Sequence, residues 1–431
     1  MAEMNTDPNN PRTTVVVTRY WPTALSVIRS LGQAGFTVDL ASSMPKPGDS
    51  SIAASSKYVR RAAETVCKNV KLFDDPGLLE SILRFKSEYP GTDKPVLFPT
   101  DDYTASFIDR RRDDLKDHFI MPYAGDASAG NITALMNKET QSRLASEAGL
   151  LCPREWIVSL EGDLRIPEDM VYPCFVKPLD SVTGFKKEMA RCGSEEELFS
   201  HLSRLQEKNP DRSMLIQEFL DINGEIDLSG VCIKGGDGSP EVIIPAIIRK
   251  SQIARYERGV TAAGTICPAE ELGSDVLEGI KRLLIISGYR GIFDLEINIA
   301  NGKLWFGELN LRSGGPNYSY FYSGVNLPAI AVKDLLGMPV SESEKKVSHY
   351  GTSFVYEKVA YKDHMMGYLT RAELNALLRE ADHGLIRNDD DPVPYKMFRK
   401  HLSKEVFSKR KKRFKKHLKR FTSRIKRIIR H

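Results

Sequence analysis

Two apolar segments, GIFDLEINI (residues 291–299) and LWFGELNLR (residues 304–312), carry acids at alternate positions and are separated by Ala-Asn-Gly-Lys. Alternation of this kind has the period of a β-strand, and an Asn-Gly between two such runs signals a hairpin. One face of the first segment holds Asp294, Glu296 and Asn298; one face of the second holds Leu304, Phe306, Glu308, Asn310 and Arg312. Register decides which acids meet. A two-residue Asn301-Gly302 loop pairs Leu295 with Glu308 and throws Asp294 to the other face. A three-residue loop, Ala300 to Gly302 with a bulge, pairs Asp294 directly with Glu308, and this is the register expected.

Carboxylates facing each other across apolar strands repel, and burying them unpaired costs several kcal/mol. A divalent cation removes the conflict. Asp294, Glu308 and Asn310, with Glu296 as a fourth donor, present the hard oxygen atoms that suit magnesium, or manganese in its place; such ions complete their shell with phosphate oxygens and water. Positive charge is then needed for the phosphates. Lys177 ends the apolar strand YPCFVKPL, and the small residues Ser181, Thr183 and Gly184 follow it in a loop able to bring backbone N–H groups to a phosphate.

The rest of the chain sets these segments in a larger frame. A length of 431 residues exceeds one ordinary core. Residues 13–41 read as strand, helix, strand, with Pro22 in the first helical turn and a glycine stop. The strand PVLFPTDD ends in Asp101 and Asp102, as where a parallel strand delivers polar groups to a crevice. Residues 1–125 are expected to form a doubly wound α/β domain, and 126–340 an α+β domain of two lobes. The latter opens with one helix over residues 133–149. GGDGS at 235–239 reads as a hairpin turn. Residues 341–395 form a terminal extension with a capping box at Thr370, and Asp389, Asp390 and Asp391 are expected in a solvated turn.

Charge is unevenly spread. Residues 396–431 hold 17 Lys or Arg against Glu405, and removing that +16 from the total of +5 leaves −11 for the body. Phe414, Leu418, Phe421, Ile425, Ile428 and Ile429 recur at spacings of three and four, predicting a basic amphipathic C-terminal helix over residues 404–430 that fits an anionic membrane surface. The acidic body contains no nucleic-acid-binding module. Six scattered cysteines without a C-x-x-C pair read as free thiols. No apolar run is long enough to span a bilayer and the first residues lack a secretory core, so a cytoplasmic protein, peripheral on the inner membrane face through its tail, is expected.

With these motifs in hand, residues 133 to about 335 resemble the ATP-grasp superfamily, and within it the carbamoyl-phosphate-synthase-like carboxylate–amine ligases, including D-aspartate-ligase-like proteins. The resemblance rests on MNKETQSRLASEAGLLCP, FVKP, IQEFLDINGEIDLSG, GIFDLEIN and FGELNLRSGG, in that order. It implies ATP with magnesium as cofactors. Lys138 and Lys177 would contact the nucleotide; Glu218, Phe219 and Leu220 would border adenine, and Glu225 would reach the ribose. Asp294, Glu308 and Asn310 would hold the metal, and Arg312, with Gly314 and Gly315, would face the phosphoryl group and substrate. Residues 248–265 stand where the family has a mobile loop over the triphosphate, which adds Lys250, Arg255 and Arg258. The implied reaction joins a small-molecule carboxylate to an amine through an acyl phosphate, with Lys177 and Arg312 catalytic. The alternatives are a non-catalytic nucleotide-binding module and a nucleic-acid-binding protein acting through the tail. Residue types leave the two substrates and the oligomeric state undetermined.

Overall fold

The computed structural model describes residues 13–67, 75–86, 94–179, 188–257 and 259–404. The predicted basic helix over residues 404–430 falls almost entirely outside the described residues, as do Ser181, Thr183, Gly184 and Arg258.

The first sheet is parallel: β1 (Thr13–Thr18), β2 (Thr37–Met44), β3 (Val59–Val66) and β4 (Val96–Pro99), in the order β3-β2-β1-β4. Strands β1 and β4 are buried on both faces, so they read as apolar runs without alternation, while the edge strand β3 is largely exposed. The helix Trp21–Gln33 begins with proline in its first turn and ends before Gly35 at φ +85°. Past β4, Asp101 accepts the backbone N–H groups of Thr104 and Arg19, which caps the helix Asp102–Arg110 and ties it to the end of β1.

A two-residue strand β5 (Tyr123–Ala124) leads to the second sheet, which comprises β6 (Glu155–Ser159), β7 (Cys174–Pro178), β8 (Ala190–Cys192) and β9 (Ser213–Glu218), ordered β6-β9-β7-β8. The helix Glu195–Gln206, capped by Ser194, packs Leu198, Leu202 and Leu205 beneath it.

The third and largest sheet holds β10 (Ile222–Lys234), β11 (Pro240–Ile243), β12 (Ile247–Ile253), β13 (Thr261–Cys267), β14 (Tyr289–Ala300), β15 (Lys303–Asn310), β16 (Ser353–Val355) and β17 (His383–Gly384). Its path runs β15-β14-β10-β12-β13-β16-β17, with β11 on β10 and β5 on β14. GGDGS forms the β10–β11 turn, where Gly235 N–H donates to Ser239 O at 2.7 Å.

Several expectations are corrected here. The helix over 133–149 is two helices, Asn131–Leu135 and Lys138–Glu147, because the Asn137 side chain caps the second and breaks the first. Residues 248–253 and 261–265 are strand rather than loop: β12 and β13 pair antiparallel through the middle of the sheet. Asp391 is not solvated. It is 1% exposed and pairs with Arg29, itself 0% exposed, at 3.0 Å, while Arg29 also donates to Ile386 O at 2.9 Å. This contact and β16 bind residues 341–395 to the helix Trp21–Gln33 beside the parallel sheet and to the largest sheet.

Candidate active site

The acidic face is built by three neighbouring strands. On β14, Asp294, Glu296 and Asn298 point to one side while Phe293, Leu295 and Ile297 enter the core. Across from them β10 supplies Ser229, Asp227 and Glu225, paired in register with Asp294, Glu296 and Asn298. On the other flank β15 places Asn310 opposite Asp294 and Glu308 opposite Glu296.

That register corrects the expected one. The hairpin has the two-residue loop, with Asn301 and Gly302 both left-handed at φ +52° and +70°. Such a loop alone would have put Glu308 opposite Leu295. A bulge between the Glu296 and Ile297 pairs absorbs Gly307 and shifts the register by one residue. Hence Phe306 lies in the core, 4% exposed, while Glu308 and Asn310 share the face of Asp294. A Cβ on Gly307 would stand 2.8 Å from Glu296 O, so glycine permits the close backbone approach.

Cations surround this face. Lys138 Nζ lies 3.4 Å from Glu308 Oε1. Its helix is fastened to β15 by Gln141, whose side chain accepts from Leu309 N–H at 3.0 Å and donates to Leu309 O at 2.6 Å. Lys138 N–H also donates to Leu179 O just past β7, which brings Lys177 to the same place. Burial, then the nearby Lys138 charge, lowers the Lys177 pKa to about 8, against the opposing pull of Glu308, Glu155 and Glu296. On the far side Arg312 Nε donates to Asp102 Oδ1 at 3.0 Å, and its Nη1 stands 3.7 Å from Asp294 Oδ2.

The carboxylates are strained electrostatically. Burial, and then the Asp227 charge, raises Asp294 to about 6, although Arg312 and the Ser229 hydroxyl, donating at 2.8 Å, favour its ionised form. Glu296 is raised to about 8, chiefly by burial, with Asp227, Glu308 and Asp294 adding to it and Lys250 opposing. Gly314 lies so close that a Cβ there would fall 2.1 Å from Asp294 Oδ1.

Asp294, Glu308 and Asn310 thus offer two carboxylates and an amide oxygen on neighbouring register lines of one face, a donor set that suits a hard divalent cation. Among the described residues no three His, Cys, Asp or Glu side chains close around a point. With two carboxylates and one amide oxygen, the donor set fits an open magnesium site finished by phosphate and water rather than a closed cage.

The other expected residues lie on β12, in the turn after it and at the end of β9. Lys250 is on β12, its side chain 1% exposed, with Nζ 2.8 Å from both Glu225 and Asp227. Its ammonium pairs with those acids on the sheet face, where it donates to Glu225 Oε2 at 2.8 Å. Arg255 is in the turn after β12; its backbone N–H donates to Asp363 and its side chain is exposed near Glu373, away from the acidic face. Glu218 ends β9 with Arg154 Nε 3.8 Å away, and Phe219 lies under the Arg191 guanidinium. Residues 218–220 make the direct crossing from the second sheet to the third.

Sequence reasoning missed Asp227, Ser229, Gln141 and the role of Asp102. The alternation of Glu225, Asp227 and Ser229 along β10 was a usable signal; nothing local marked Gln141.

No protein-family model matches the chain. The carbamoyl phosphate synthase large chain of Micrococcus luteus is 29% identical over 171 residues, covering 38% of this chain and 15% of that protein. D-aspartate ligase of Enterococcus faecium is 24% identical over 283 residues, covering 60% of this chain and 63% of that one. The chain spans 15 to 20% of the length of the first carbamoyl phosphate synthase chains it matches. Among solved structures, the biotin carboxylase of Campylobacter jejuni in complex with β-γ-ATP superposes with a TM-score of 0.59 at 14% identity, over 79% of this chain and 74% of that one. The L-amino acid ligase of Bacillus licheniformis gives a TM-score of 0.54 at 17% identity, over 77% and 76%.

Proposed function

We propose that this chain, which has the ATP-grasp fold of those solved structures, is an ATP-dependent ligase that joins a small-molecule carboxylate to an amine. The observation that carries the reading is the convergence of Asp294, Glu308 and Asn310 with Lys138, Lys177 and Arg312 between two sheets joined through residues 218–220. The relatives named as ligases support it. In this reading residues 126–340 form two lobes with the nucleotide between them, residues 1–125 precede them, and 218–220 border the base.

Magnesium held by Asp294, Glu308 and Asn310 would neutralise charge on the terminal phosphates of ATP. Lys138 and Lys177 then bind the phosphate oxygens, and Arg312 holds the transferring phosphoryl group against the substrate carboxylate. The carboxylate oxygen takes the γ-phosphoryl group, the bond to ADP breaks, and an acyl phosphate forms. An amine attacks the carbonyl carbon, phosphate leaves, and the amine gives up a proton to solvent. Positioning and charge stabilisation carry the rate.

The test has two stages. Calorimetric titration with magnesium and a non-hydrolysable ATP analogue is expected to give binding that falls at least about tenfold in Lys177→Met. A screen of amino acids and small carboxylates is then expected to yield magnesium-dependent ADP release in one pairing. Binding without ADP release in any pairing would favour the non-catalytic module, and no binding at all would end the nucleotide reading.

The basic residues 404–430 support a finer reading, attachment to an anionic membrane surface and hence an envelope-precursor substrate. No helix among the described residues is long and apolar enough to cross a membrane. Sedimentation with anionic vesicles should depend on the tail; equal binding by a chain ending at Met397 removes the idea.

A further inference from the structure

Arg312 stands between two carboxylates, one on the helix that follows the parallel sheet and one on the largest sheet. Asp102, in the first turn of the helix that follows β4, accepts from its Nε at 3.0 Å. Asp294, on β14, lies 3.7 Å from Nη1, beyond hydrogen-bond reach. The Nη1 group instead donates to Ser313 O at 3.3 Å. A guanidinium so close to a buried carboxylate would ordinarily close to a two-pronged pair. Such a pair would use the oxygen that a cation needs, because a carboxylate bonded through both oxygens to arginine has little left to coordinate a metal.

We propose, resting on the reading of Asp294 as a cation ligand, that Asp102 is a positioning residue: it draws the Arg312 guanidinium toward the parallel sheet and so keeps Asp294 open to the metal. The carboxylate acts through Arg312 and touches neither nucleotide nor metal itself. Its own placement is secured one residue earlier, where Asp101 caps the helix and accepts the Arg19 N–H at 2.7 Å at the end of β1. Asp294 cannot retreat from the arginine, since Gly314 packs against it and Ser229 holds Oδ1. A helix that follows the parallel sheet thereby positions an arginine of a site built on another sheet.

Manganese binding in the presence of ADP, followed through the electron paramagnetic resonance of the free ion, separates this role from a structural one. Asp102→Asn is expected to weaken Mn2+ about tenfold, because Arg312 then pairs with Asp294. Arg312→Ala should bind Mn2+ no more weakly than the unaltered protein, and the double variant should match Arg312→Ala. A double variant as weak as Asp102→Asn, or an Asp102→Asn variant that binds Mn2+ normally, overturns the proposal. The arginine variant decides the matter even if Asp102→Asn fails to fold, since weakened Mn2+ binding by Arg312→Ala contradicts the competition. Absence of Mn2+ binding by the unaltered protein would instead remove the cation site and this role with it.

Discussion

Glu296 and Glu308 stand directly opposite each other on β14 and β15, and they do so only because the backbone bulges at Gly307. The two-residue turn at Asn301-Gly302 starts the strands one step out of phase for this pairing, and the extra residue restores it. Two like charges are thereby placed on one face beside Asp227 and Asp294, with Lys250, Lys138 and Arg312 as the cations that hold them.

Metal-free protein should lose stability as pH rises. Glu296 in the folded chain ionises near pH 8 and Asp294 near pH 6, both above the unfolded carboxyl range of about 4. Between about pH 4 and 8 the folded state therefore binds more protons than the unfolded one, and stability falls with pH across that window. Thermal melts in EDTA should show this decline, and Glu296→Gln should flatten it, most visibly from pH 6 to 8. A wild-type melting temperature that rises through that range contradicts the assignment. Magnesium should raise the melting temperature more at pH 8 than at pH 5.5.

Gly314→Ala should damage the cation site without unfolding the chain. The added methyl carbon would fall 2.1 Å from Asp294 Oδ1, so the carboxylate or the loop must move. Strain of about 1–3 kcal/mol is expected, with Mn2+ binding in the presence of ADP weakened about tenfold or more. Unchanged Mn2+ affinity would show that Asp294 has freedom the packing denies it.

Lys250→Met should act on stability before it acts on nucleotide. It removes the cation held between Glu225 and Asp227 and leaves buried acids uncompensated, a loss of about 3–5 kcal/mol. Chemical denaturation measures it. A variant of normal stability with weakened ATP binding would return Lys250 to the triphosphate contact inferred from its place in the sequence.

Much of this architecture is local in origin and was legible in the chain. Alternation in DLEIN and ELN gives strands with one acidic face, Asn-Gly gives the turn, and Thr370 starts its helix by a capping box. The misreadings were non-local. The family resemblance places Lys250 in a loop, whereas the pairing of β12 with β13 draws it into the sheet. Asp391 looked solvated beside Asp389 and Asp390 until Arg29, distant in sequence, buried it.

The sequence by itself determined which residues could share a face, because side-chain direction along a strand follows from its two-residue period. Tertiary structure alone decided which faces met and in what register. A bulge costs little locally and is chosen by the packing of Phe306 into the core, and the contacts of Asp102, Gln141 and Lys250 join strands and helices whose order in space no local rule fixes.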